Sequence, residues 1–175
     1  MSIPADRQTW FVKEFKEVMS HWASGVTVVT TAGVDRRPHG FTASSFTVVS
    51  LEPPTVLVCL DRAADCAPAF ADSDWLAVHI LGAGQREVAG RFAHKSHDKF
   101  AGLVTEPGRS GTPLLRGAVA TLECRTVLRL PVGDHVVLIA EVHEARMSGD
   151  EGSSGGRPLV YHRREFHALG RDDRA

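Results

Sequence analysis

The amino-acid sequence predicts a mostly β protein, built as an antiparallel barrel that is closed or nearly closed, with a few helices at its periphery. Three observations predict this fold class. Segments rich in β-branched residues recur along the chain, most of them are joined by turns of Gly, Pro and Asp, and only three segments have a helical pattern. Many strands joined by turns favour antiparallel pairing, and closing the sheet removes its exposed edges.

The chain has 175 residues, of which 43% are apolar and 23% are charged, so a sizeable core is expected. We expect one domain over 1–175, with its core at about 11–169 and short flexible termini. The formal net charge of −1 gives no overall field for nucleic acid, so no nucleic-acid partner is expected. No apolar run approaches the ~18 residues of a membrane span, and the first residues lack the apolar core of a signal peptide.

The three cysteines, Cys59, Cys66 and Cys124, are too few and too scattered for a disulfide framework or a zinc knuckle. Cys59 and Cys124 fall in apolar strand segments, where we expect them to be buried thiols. Because free thiols persist in a reducing compartment, the sequence predicts a cytoplasmic protein.

The first predicted element is a helix from Trp10 to Trp22, with Asp6 as a residue that can cap its start. Its apolar residues recur at i, i+4, i+7 and i+11, which are Phe11, Phe15, Val18 and Trp22. We expect this stripe to pack on the rest of the domain.

Strand patterns begin after Gly25. The segment "VTVVTTA" is a predicted strand, "GVDRRP" a turn, and "HGFTASSF" a second strand that pairs back on the first. "VVSLEPPTVLVCL" holds two strands separated by Pro53 and Pro54, because a proline cannot occupy a central ladder. A loop and short helix in "ADCAPAFADS", a strand in "WLAVHIL" and a helix in "GQREVAGRFAH" follow.

The second half begins with a Gly- and Pro-rich loop from Gly102 to Pro113. The strand "VATLECRTVLRL" then alternates, with one predicted face formed by Ala120, Leu122, Cys124, Thr126 and Leu128 and the other by Thr121, Glu123, Arg125 and Arg129. The turn "PVGD" joins it to the strand "HVVLIAEVHEARM". A flexible loop, "GDEGSSGG", and a short strand pair in "PLVYHRREFHAL" complete the chain.

Two common enzyme motifs are only partly matched. In "LGAGQRE", Gly82 and Gly84 fit a dinucleotide fingerprint, but Glu87 occupies the third glycine position and no βαβ unit follows. A strand-to-helix turn is the better interpretation. Ser44 and Ser45 do not lie in the G-x-S-x-G elbow of a hydrolase.

A metal site is not predicted either. His94 and His97 are three residues apart with Asp98 beside them, but a site needs a third ligand and an ordered second shell. His135 and His143 could join them only if the fold brought them near. The structure is therefore expected to hold no metal.

A basic cluster is the stronger signal, formed by Arg91, His94, Lys95, His97 and Lys99. It is either a solvated face or a phosphate site, because arginine and lysine make charge-assisted bonds to phosphate oxygens. His135, in "GDH", follows a Gly-Asp turn at the start of a strand, where it either completes the turn or has a functional role.

Several of these segments together identify a family resemblance. The chain resembles the short-chain flavin reductases, the reductase components of two-component flavin-dependent monooxygenases. The matching segments are "ASGVTVVTT", "GFTASSFTVVSLEPPTVLVCLD", "RFAHKSHDKF", "GDH" in "PVGDHVVLIAEV", and "PLVYHRREF". The combined block G-x-T-x-S-S-F-x-x-V-S-x-x-P-P is specific, and the resemblance covers roughly Phe11 to Leu169.

The resemblance implies an antiparallel, Greek-key, FMN-binding split β-barrel that works as a homodimer. It implies a flavoprotein that transfers hydride from C4 of NADH or NADPH to N5 of FMN or FAD, with reduced flavin supplied to a partner monooxygenase. The cofactor carries this chemistry, and the protein supplies stacking, orientation and electrostatics. FMN or FAD, NADH or NADPH, and bound or diffusible flavin remain open, as does the pathway served.

The resemblance also implies site residues. The implied flavin-binding residues are Pro38, His39, Gly40, Phe41, Thr42, Ser44, Ser45, Cys59, Leu60, Asp61, Asp65, Cys66, Arg91, Phe92 and Lys99. The implied nicotinamide side consists of Ser44, Ser45, Asp134, His135, Tyr161 and Arg163. His135 is expected to orient the nicotinamide, and Thr42 is a candidate donor to the N1–C2=O edge of the flavin, where charge develops.

A flavin would explain the small, hydroxylated residues after Pro38. Hydroxyls just ahead of a core strand need hydrogen-bond partners, and Thr42, Ser44 and Ser45 would find them on the polar edge of the ring and on the nicotinamide. Gly40 and Ala43 would let a flat ring approach the backbone closely.

One loop departs from the family pattern. Many relatives carry a Ser-x-Thr/Ser pair after the strand that ends "CLD", where this chain has Ala64, Asp65 and Cys66. A carboxylate beside a dianionic phosphate is unfavourable. Either Asp65 turns away from the phosphate, or the tail is held mainly by Arg91, Lys95 and Lys99.

Two alternatives to a flavin reductase that serves a monooxygenase stay open. In the first, the barrel and flavin are kept but electrons pass to another acceptor, such as a corrinoid or ferric iron. In the second, the chain is a flavin- or haem-binding module without turnover. The "GDH" and "YHRREF" segments favour an enzyme, because a binding module needs no nicotinamide side.

Overall fold

The structure, a computed structural model, describes residues 5–96, 98–147 and 156–170, with side chains from residue 10 onward. The helices in these ranges are α1 (Ala5–Ser20), α2 (Ala67–Asp72) and α3 (Arg86–Ala93), and a short 3-10 turn at Ala83–Gln85 precedes α3. The strands are β1 (Ser24–Gly25), β2 (Thr27–Ala32), β3 (Pro38–Ala43), β4 (Thr47–Leu51), β5 (Pro54–Asp61), β6 (Trp75–Ile80), β7 (Thr105–Pro107), β8 (Pro113–Leu115), β9 (Ala120–Val132), β10 (His135–Met147), β11 (Leu159–His162) and β12 (Glu165–Ala168).

Seven strands form one antiparallel sheet in the order β3-β2-β6-β9-β10-β5-β4. Smaller sheets, β1-β11-β12 and β7-β8, pack beside it. Strands β3 and β4 follow each other in the chain but lie at opposite edges of the large sheet, separated only by residues 44–46. Four Cα steps span at most roughly 14 Å, so the sheet must curl until its edges approach. This closure gives the predicted antiparallel barrel, with its seam between β3 and β4.

Apolar side chains fill the barrel interior on both sides of the seam. Phe41 of β3 packs in one buried cluster with Val58 of β5 and Leu138 of β10. A second cluster, around Phe92 of α3 and Leu159 of β11, fixes α3 against the outside of β2 and β3. The end of α3 is thereby held beside the β3 edge of the seam.

The strands that the sequence predicts most clearly are present. Strand β3 pairs back on β2, and the β11–β12 pair is a hairpin. Pro53 and Pro54 lie at the β4–β5 turn, where Pro54 begins β5. The sequence does not predict β1, β7 inside the predicted loop from Gly102 to Pro113, or β8, which begins at the end of that loop, since two or three residues show no period. The predicted flexible loop "GDEGSSGG" lies almost entirely outside the described residues.

The predicted alternation of β9 is only partly correct. Glu123, predicted on the face opposite to Cys124, is buried as Cys124 is, with 2% exposure, and accepts a hydrogen bond from the backbone N–H of Arg109 at 2.7 Å, with Arg146 3.0 Å away. Leu128, predicted on the same face as the buried Cys124, is exposed because a bulge at Val127 shifts the register with β10. A bulge reverses the inward and outward directions beyond it, which a strict period of two cannot foresee.

Helix α1 differs from its prediction in position and in packing. It begins at Ala5 and ends at Ser20, before Trp22. The predicted stripe does not pack on the barrel, since its exposed fractions are 60% for Phe11, 55% for Phe15, 64% for Val18 and 72% for Trp22. The helix is attached through Glu17, which pairs with Arg164, and through the Ser20 carbonyl, which accepts the Arg163 N–H. An apolar face of this size on a single chain calls for a covering surface.

Two further predictions concern the cysteines and membrane spans. Cys124 is fully buried, and desolvation raises its thiol pKa to about 12, whereas Cys59 is only half-buried. Among the described residues, no helix has both the length and the apolar character required to cross a membrane.

His79 gives the fold a testable pH dependence. Its ring is fully buried, with Nδ1 3.0 Å from the Val28 carbonyl and Nε2 accepting the Leu115 N–H at 3.0 Å. Burial lowers its pKa from 6.5 to about 4. The unfolded chain therefore binds more protons between these values, and stability falls as the pH drops through that window. The loss is about 2 kcal/mol between pH 7 and pH 5 and about 3 kcal/mol over the whole window.

Urea unfolding of the wild type and His79→Gln at both pH values measures this term. Glutamine keeps an acceptor for the Leu115 N–H but does not titrate. The wild type is expected to lose about 2 kcal/mol more than the variant on acidification. Equal losses would show that His79 does not carry the effect.

Candidate functional site

Two cavities lie at the barrel seam, beside the end of α3. The His135 cavity, of about 200 Å³, is lined by Phe41, Thr42, Cys59, Leu60, Asp61, Ala64, Asp65, Phe92, Ala93, His94, Lys95, Lys99 and His135. The Arg37 cavity, of about 250 Å³, is lined by Arg37, Pro38, His39, Gly40, Asp65, Cys66, Ser96, Lys99 and Phe100. Asp65 and Lys99 belong to both linings and form the wall between the cavities. Twelve of the fifteen predicted flavin-binding residues line one cavity or the other.

The small residues of β3 serve packing, which corrects the expected reason for them. A Cβ on Gly40 would lie 2.8 Å from the ring of Phe92 and 2.9 Å from the Val29 carbonyl. Gly40 is therefore required for α3 to approach β3. Ala43 is 5% exposed and packs in the core with Phe41, so it does not offer a platform to a ring.

The hydroxyls that follow Pro38 mostly have partners within the protein. Thr42 donates to the Ala89 carbonyl of α3 at 2.6 Å, so its proton is already used and the proposed donation to a flavin would require this bond to break. Ser45 accepts the Cys59 N–H at 3.0 Å and lies 3.4 Å from the Cys59 carbonyl. The Ser45 hydroxyl therefore takes the place of a backbone hydrogen-bond partner for Cys59. Ser44 is exposed, and neither serine lines the His135 cavity or the Arg37 cavity.

The loop after β5 is fixed by its own backbone. Asp61 accepts the Ala63 N–H through Oδ1 at 2.8 Å, and its carbonyl accepts the Ala64 N–H at 3.0 Å. This turn presents Asp65 as an exposed carboxylate on the wall between the cavities. Cys66 follows as a buried residue, and desolvation raises the pKa of its thiol despite the nearby Lys99 cation.

Lys99 is the cation that both cavities share. Its Nζ donates to the Gly40 carbonyl at 3.3 Å and to the Phe92 carbonyl at 3.2 Å, which ties the loop after α3 to β3. No carboxylate of the described chain lies within 4.0 Å of this partly buried ammonium. A half-buried cation that has carbonyl partners but no carboxylate partner in the described chain can bind an anion without losing an ion pair.

The predicted basic cluster is divided by the structure. His94, Lys95 and Lys99 line the His135 cavity. Arg91 instead points its guanidinium at the Ala101 carbonyl, 2.7 Å away, and lines neither cavity, so its predicted phosphate contact has no support in this geometry. His97 lies outside the described residues. The helix ends at Ala93, so a helical spacing that starts from Arg91 does not extend to the lysines.

His135 lies at the mouth of the cavity that bears its name, at the start of β10 and opposite Asp61 of β5. Its Nδ1 is 2.7 Å from Oδ1 of Asp134. The hydrogen bond from His135 is the main cause that lowers the pKa of the Asp134 carboxyl. Asp134 is therefore a carboxylate at neutral pH, and Nδ1 must carry the proton that the bond uses.

Two predicted nicotinamide residues do not join this site within one chain. Tyr161 pairs with Ser24 and stacks against Phe166, 5.4 Å between ring centroids, in the small sheet. Arg163 is in the β11–β12 turn with φ of 50°. Neither lines either cavity of the described chain.

Residues that the sequence did not single out also line the cavities. Arg37, Ser96 and Phe100 line the Arg37 cavity, and each follows or precedes an element by a few residues. Proximity in the folded chain brings them together, so no local spacing could have found them. In the described part of the chain, no three His, Cys, Asp or Glu side chains are grouped so as to hold a metal ion.

Known proteins share this architecture and much of its sequence. The chain is 42% identical over 154 residues to a Streptomyces coelicolor protein named actinorhodin polyketide dimerase, covering 88% of this chain and 84% of that protein. It is 32% identical over 157 residues to the flavin-dependent monooxygenase reductase subunit HsaB of Mycobacterium tuberculosis, covering 90% of this chain and 82% of that one. The structure of the NADH:FAD oxidoreductase SgcE6 of Streptomyces globisporus, in complex with NAD and FAD fragments, matches with a TM-score of 0.83 at 32% identity over 99% of both chains.

The family comparison agrees with both the fold and the predicted resemblance. The description "flavin reductase like domain" matches residues 19–170, which include both cavities and every strand from β1 to β12. The predicted split-barrel fold is confirmed by the strand order and by the solved structure of similar shape. The chain belongs to the flavin reductase like domain family.

Proposed function

We propose that this chain is an NAD(P)H-dependent flavin reductase that binds FMN or FAD in the His135 cavity and reduces it with a nicotinamide. One observation carries the proposal: in a chain of this family, the barrel seam opens a cavity whose wall holds Lys99, a cation whose partners in the described chain are two backbone carbonyls. The reduced flavin then serves a separate monooxygenase, a role supported by the name of the M. tuberculosis relative.

The residues that line the His135 cavity fit a flavin. Phe41, Leu60 and Phe92 give the His135 cavity apolar walls, and Ala64 and Ala93 leave them shallow enough for a flat ring. The cations Lys95 and Lys99 lie around the same cavity with His94, where they can neutralise a phosphate tail. A flavin bound there supplies the acceptor for a hydride from the nicotinamide.

The residues of this chain bind and orient the flavin and the nicotinamide. Because Nδ1 of His135 donates to Asp134, the neutral imidazole keeps Nε2 as an acceptor, which suits the N–H₂ of a nicotinamide carboxamide. Asp134 holds His135 in this tautomer and fixes the orientation of its ring. Lys99 fixes the phosphate end of the flavin. No side chain is required to transfer a proton in the hydride step.

We further propose that the chain works as a homodimer, with the exposed stripe of α1 against a second copy. Three large apolar side chains of α1, together with Trp22 just after it, are exposed, and a symmetric partner would cover an identical stripe. The three free cysteines suit a reducing compartment, so we place the protein in the cytoplasm.

Replacing His135 with alanine tests the nicotinamide side. We expect kcat/KM for NADH to fall about tenfold, because one positioned hydrogen bond is lost, while flavin affinity measured by fluorescence quenching stays nearly intact. Asp134→Asn should cause a smaller loss of the same kind.

The matched control is His143→Ala, which removes an imidazole from the same strand, where it contacts Trp75 and lines neither cavity. This variant should behave as the wild type. An equal loss of flavin affinity and turnover in His135→Ala would place His135 against the flavin and not against the nicotinamide.

The relative named for polyketide dimerisation suggests one other role for this fold. NADH oxidation that depends on added flavin, with no polyketide present, separates the two. A chain that acts only on a polyketide would not oxidise NADH under those conditions.

A further inference from the structure

The half of the large sheet formed by β9, β10 and β5 has apolar residues on both of its faces. On β10, Leu138 and Ala140 point into the core, where they are 2% and 1% exposed, so the alternate residues Val137 and Ile139 point outward. An antiparallel strand with one face in water normally alternates apolar and polar residues, whereas a strand that is covered on both faces is apolar throughout. The pattern of β10 therefore indicates that its outward face is covered.

The neighbouring strands continue this surface, which we call the outer sheet face. Residues directly opposite each other in a ladder point to the same side of a sheet, so the register identifies the members of the face. They are Leu57 and Cys59 of β5, Val137 and Ile139 of β10, and Leu128, Leu130 and Val132 of β9. The three β9 residues are 49%, 48% and 53% exposed, so the described part of the chain leaves them largely uncovered.

The last row of the outer sheet face reaches the mouth of the His135 cavity. His135 is opposite Val132 on one side and Asp61 on the other, and both His135 and Asp61 line that cavity. Cys59 belongs to the face and to the cavity lining. A body that covers the outer sheet face therefore also lies against the mouth of the cavity.

Helix α1 carries another uncovered apolar surface. Its stripe, which ends with Trp22 just after the helix, is more than half exposed at every position. The hydrogen bond from His135 is the main cause that lowers the pKa of Asp134, and the charge of Lys16 on α1 adds to this effect. Helix α1 therefore lies close enough to the cavity mouth for its charges to act there, while its stripe remains in solvent.

The two apolar surfaces together approach the size of a stable interface. An aromatic side chain can bury about 150–250 Å², and Phe11, Phe15 and Trp22 are between 55% and 72% exposed, which leaves roughly 300–450 Å² for a partner. Val18 and the β9 residues raise this area towards the ~800 Å² that each partner of a standard interface buries. A helix packed on a sheet is a standard layer arrangement, and a second copy of this chain supplies both surfaces in one two-fold assembly.

We propose that the α1 stripe of one copy packs on the outer sheet face of a second copy, with the reciprocal contact made at the same time. Each helix then forms part of the wall of the other copy's His135 cavity, on the side where the nicotinamide binds. The inference rests on the proposed homodimer and on the proposed role of His135. It assigns the surface of the second copy that α1 contacts, and it makes the nicotinamide side of the site incomplete in one chain.

Cysteine cross-linking between two different variants tests the contact without any flavin or nicotinamide. One variant carries Val18→Cys and the other carries Leu130→Cys, and both carry Cys59→Ser because Cys59 lies on the outer sheet face. Cys66 and Cys124 are kept, since both are buried. After the two variants are mixed to exchange subunits and then oxidised, we expect a disulfide-linked dimer on a non-reducing gel.

Each variant oxidised alone should give little linked dimer, because the contact joins a helix to a sheet. In the control, Lys13→Cys on the opposite side of α1 replaces Val18→Cys and should not link to Leu130→Cys. Efficient linking of Val18→Cys to itself would place α1 against α1, and linking of Leu130→Cys to itself would place sheet against sheet. Either result, or no linking in any mixture, would overturn the proposal.

Leu130→Glu tests the contribution of the second copy to the site. Leu130 lines neither the His135 cavity nor the Arg37 cavity, so its replacement should not affect catalysis through its own chain. We expect this variant to be monomeric in sedimentation velocity, because a carboxylate on the covered face would be buried without a partner. The KM for NADH should rise about tenfold, since the His135 cavity loses one wall, while kcat changes less.

The matched control is Val104→Glu, since Val104 is 62% exposed and belongs to neither apolar surface. This variant should remain dimeric with an unchanged KM for NADH. A Leu130→Glu variant that stays dimeric would overturn the proposed contact, and a monomer with an unchanged KM would overturn the role of the second copy in the site. If the cross-link forms as expected but no flavin is reduced, the reductase function fails while the contact stands.

Discussion

Replacing Lys99 with methionine is expected to weaken FMN binding by about tenfold to a hundredfold and to leave riboflavin binding nearly unchanged. Methionine keeps the length of the side chain but removes the charge, and a charge-assisted hydrogen bond contributes about 1.5–3 kcal/mol. Riboflavin lacks the phosphate, so it reports any general damage to the cavity. Fluorescence titration of both ligands, at low and high salt, measures the difference.

Arg91→Ala is the matched control for this variant. Both residues are cations of the basic cluster, but Arg91 binds the Ala101 carbonyl and lines neither cavity of the described chain. Salt should weaken FMN binding in the wild type and matter less in Lys99→Met, because screening acts on the charge that was removed. If Lys99→Met weakens both flavins equally, Lys99 holds the loop to β3 and does not bind the phosphate. A phosphate-specific loss in Arg91→Ala would instead assign the phosphate contact to Arg91, as the sequence predicts.

Phe15→Glu is expected to convert the proposed homodimer to a monomer at micromolar concentration. Burying large apolar side chains contributes on the order of 2 kcal/mol each, and the stripe presents four of them on each chain. A carboxylate in the middle of that face would have to be desolvated without a partner. Sedimentation velocity over a range of concentrations measures the association.

Lys13→Glu serves as the control for helix α1. It makes a larger change in charge on the same helix but lies off the apolar stripe, so the dimer should persist. A wild type that stays monomeric would remove the homodimer proposal. A Phe15→Glu variant that stays dimeric would move the interface away from α1.

The parts of the fold that could be predicted are those whose period extends over several residues. Strands β2, β3 and β9 were found because six or more residues show one pattern, and the Pro53–Pro54 break was found because proline cannot enter a ladder. The packing of α1 could not be predicted, because an apolar stripe shows that a face is covered but does not show what covers it.

The site was predicted where the chain keeps its residues in one segment. Residues 38–42 and Cys59 to Asp61 line the two cavities, because β3 and the end of β5 lie together at the seam. The hydroxyl argument failed for Thr42 and Ser45, since their partners, Ala89 and Cys59, are distant in sequence. The sequence alone does not distinguish hydroxyls that make hydrogen bonds within the barrel from hydroxyls that bind a ligand.

The central claim is that the seam beside Lys99 and His135 binds a flavin that a nicotinamide reduces. Anaerobic mixing of catalytic amounts of the protein with excess NADH or NADPH and FAD or FMN tests it most directly, with the visible absorbance of oxidised flavin as the readout. We expect the wild type to bleach the excess flavin completely and His135→Ala to bleach it more slowly. No bleaching with either nicotinamide and either flavin would contradict the central claim.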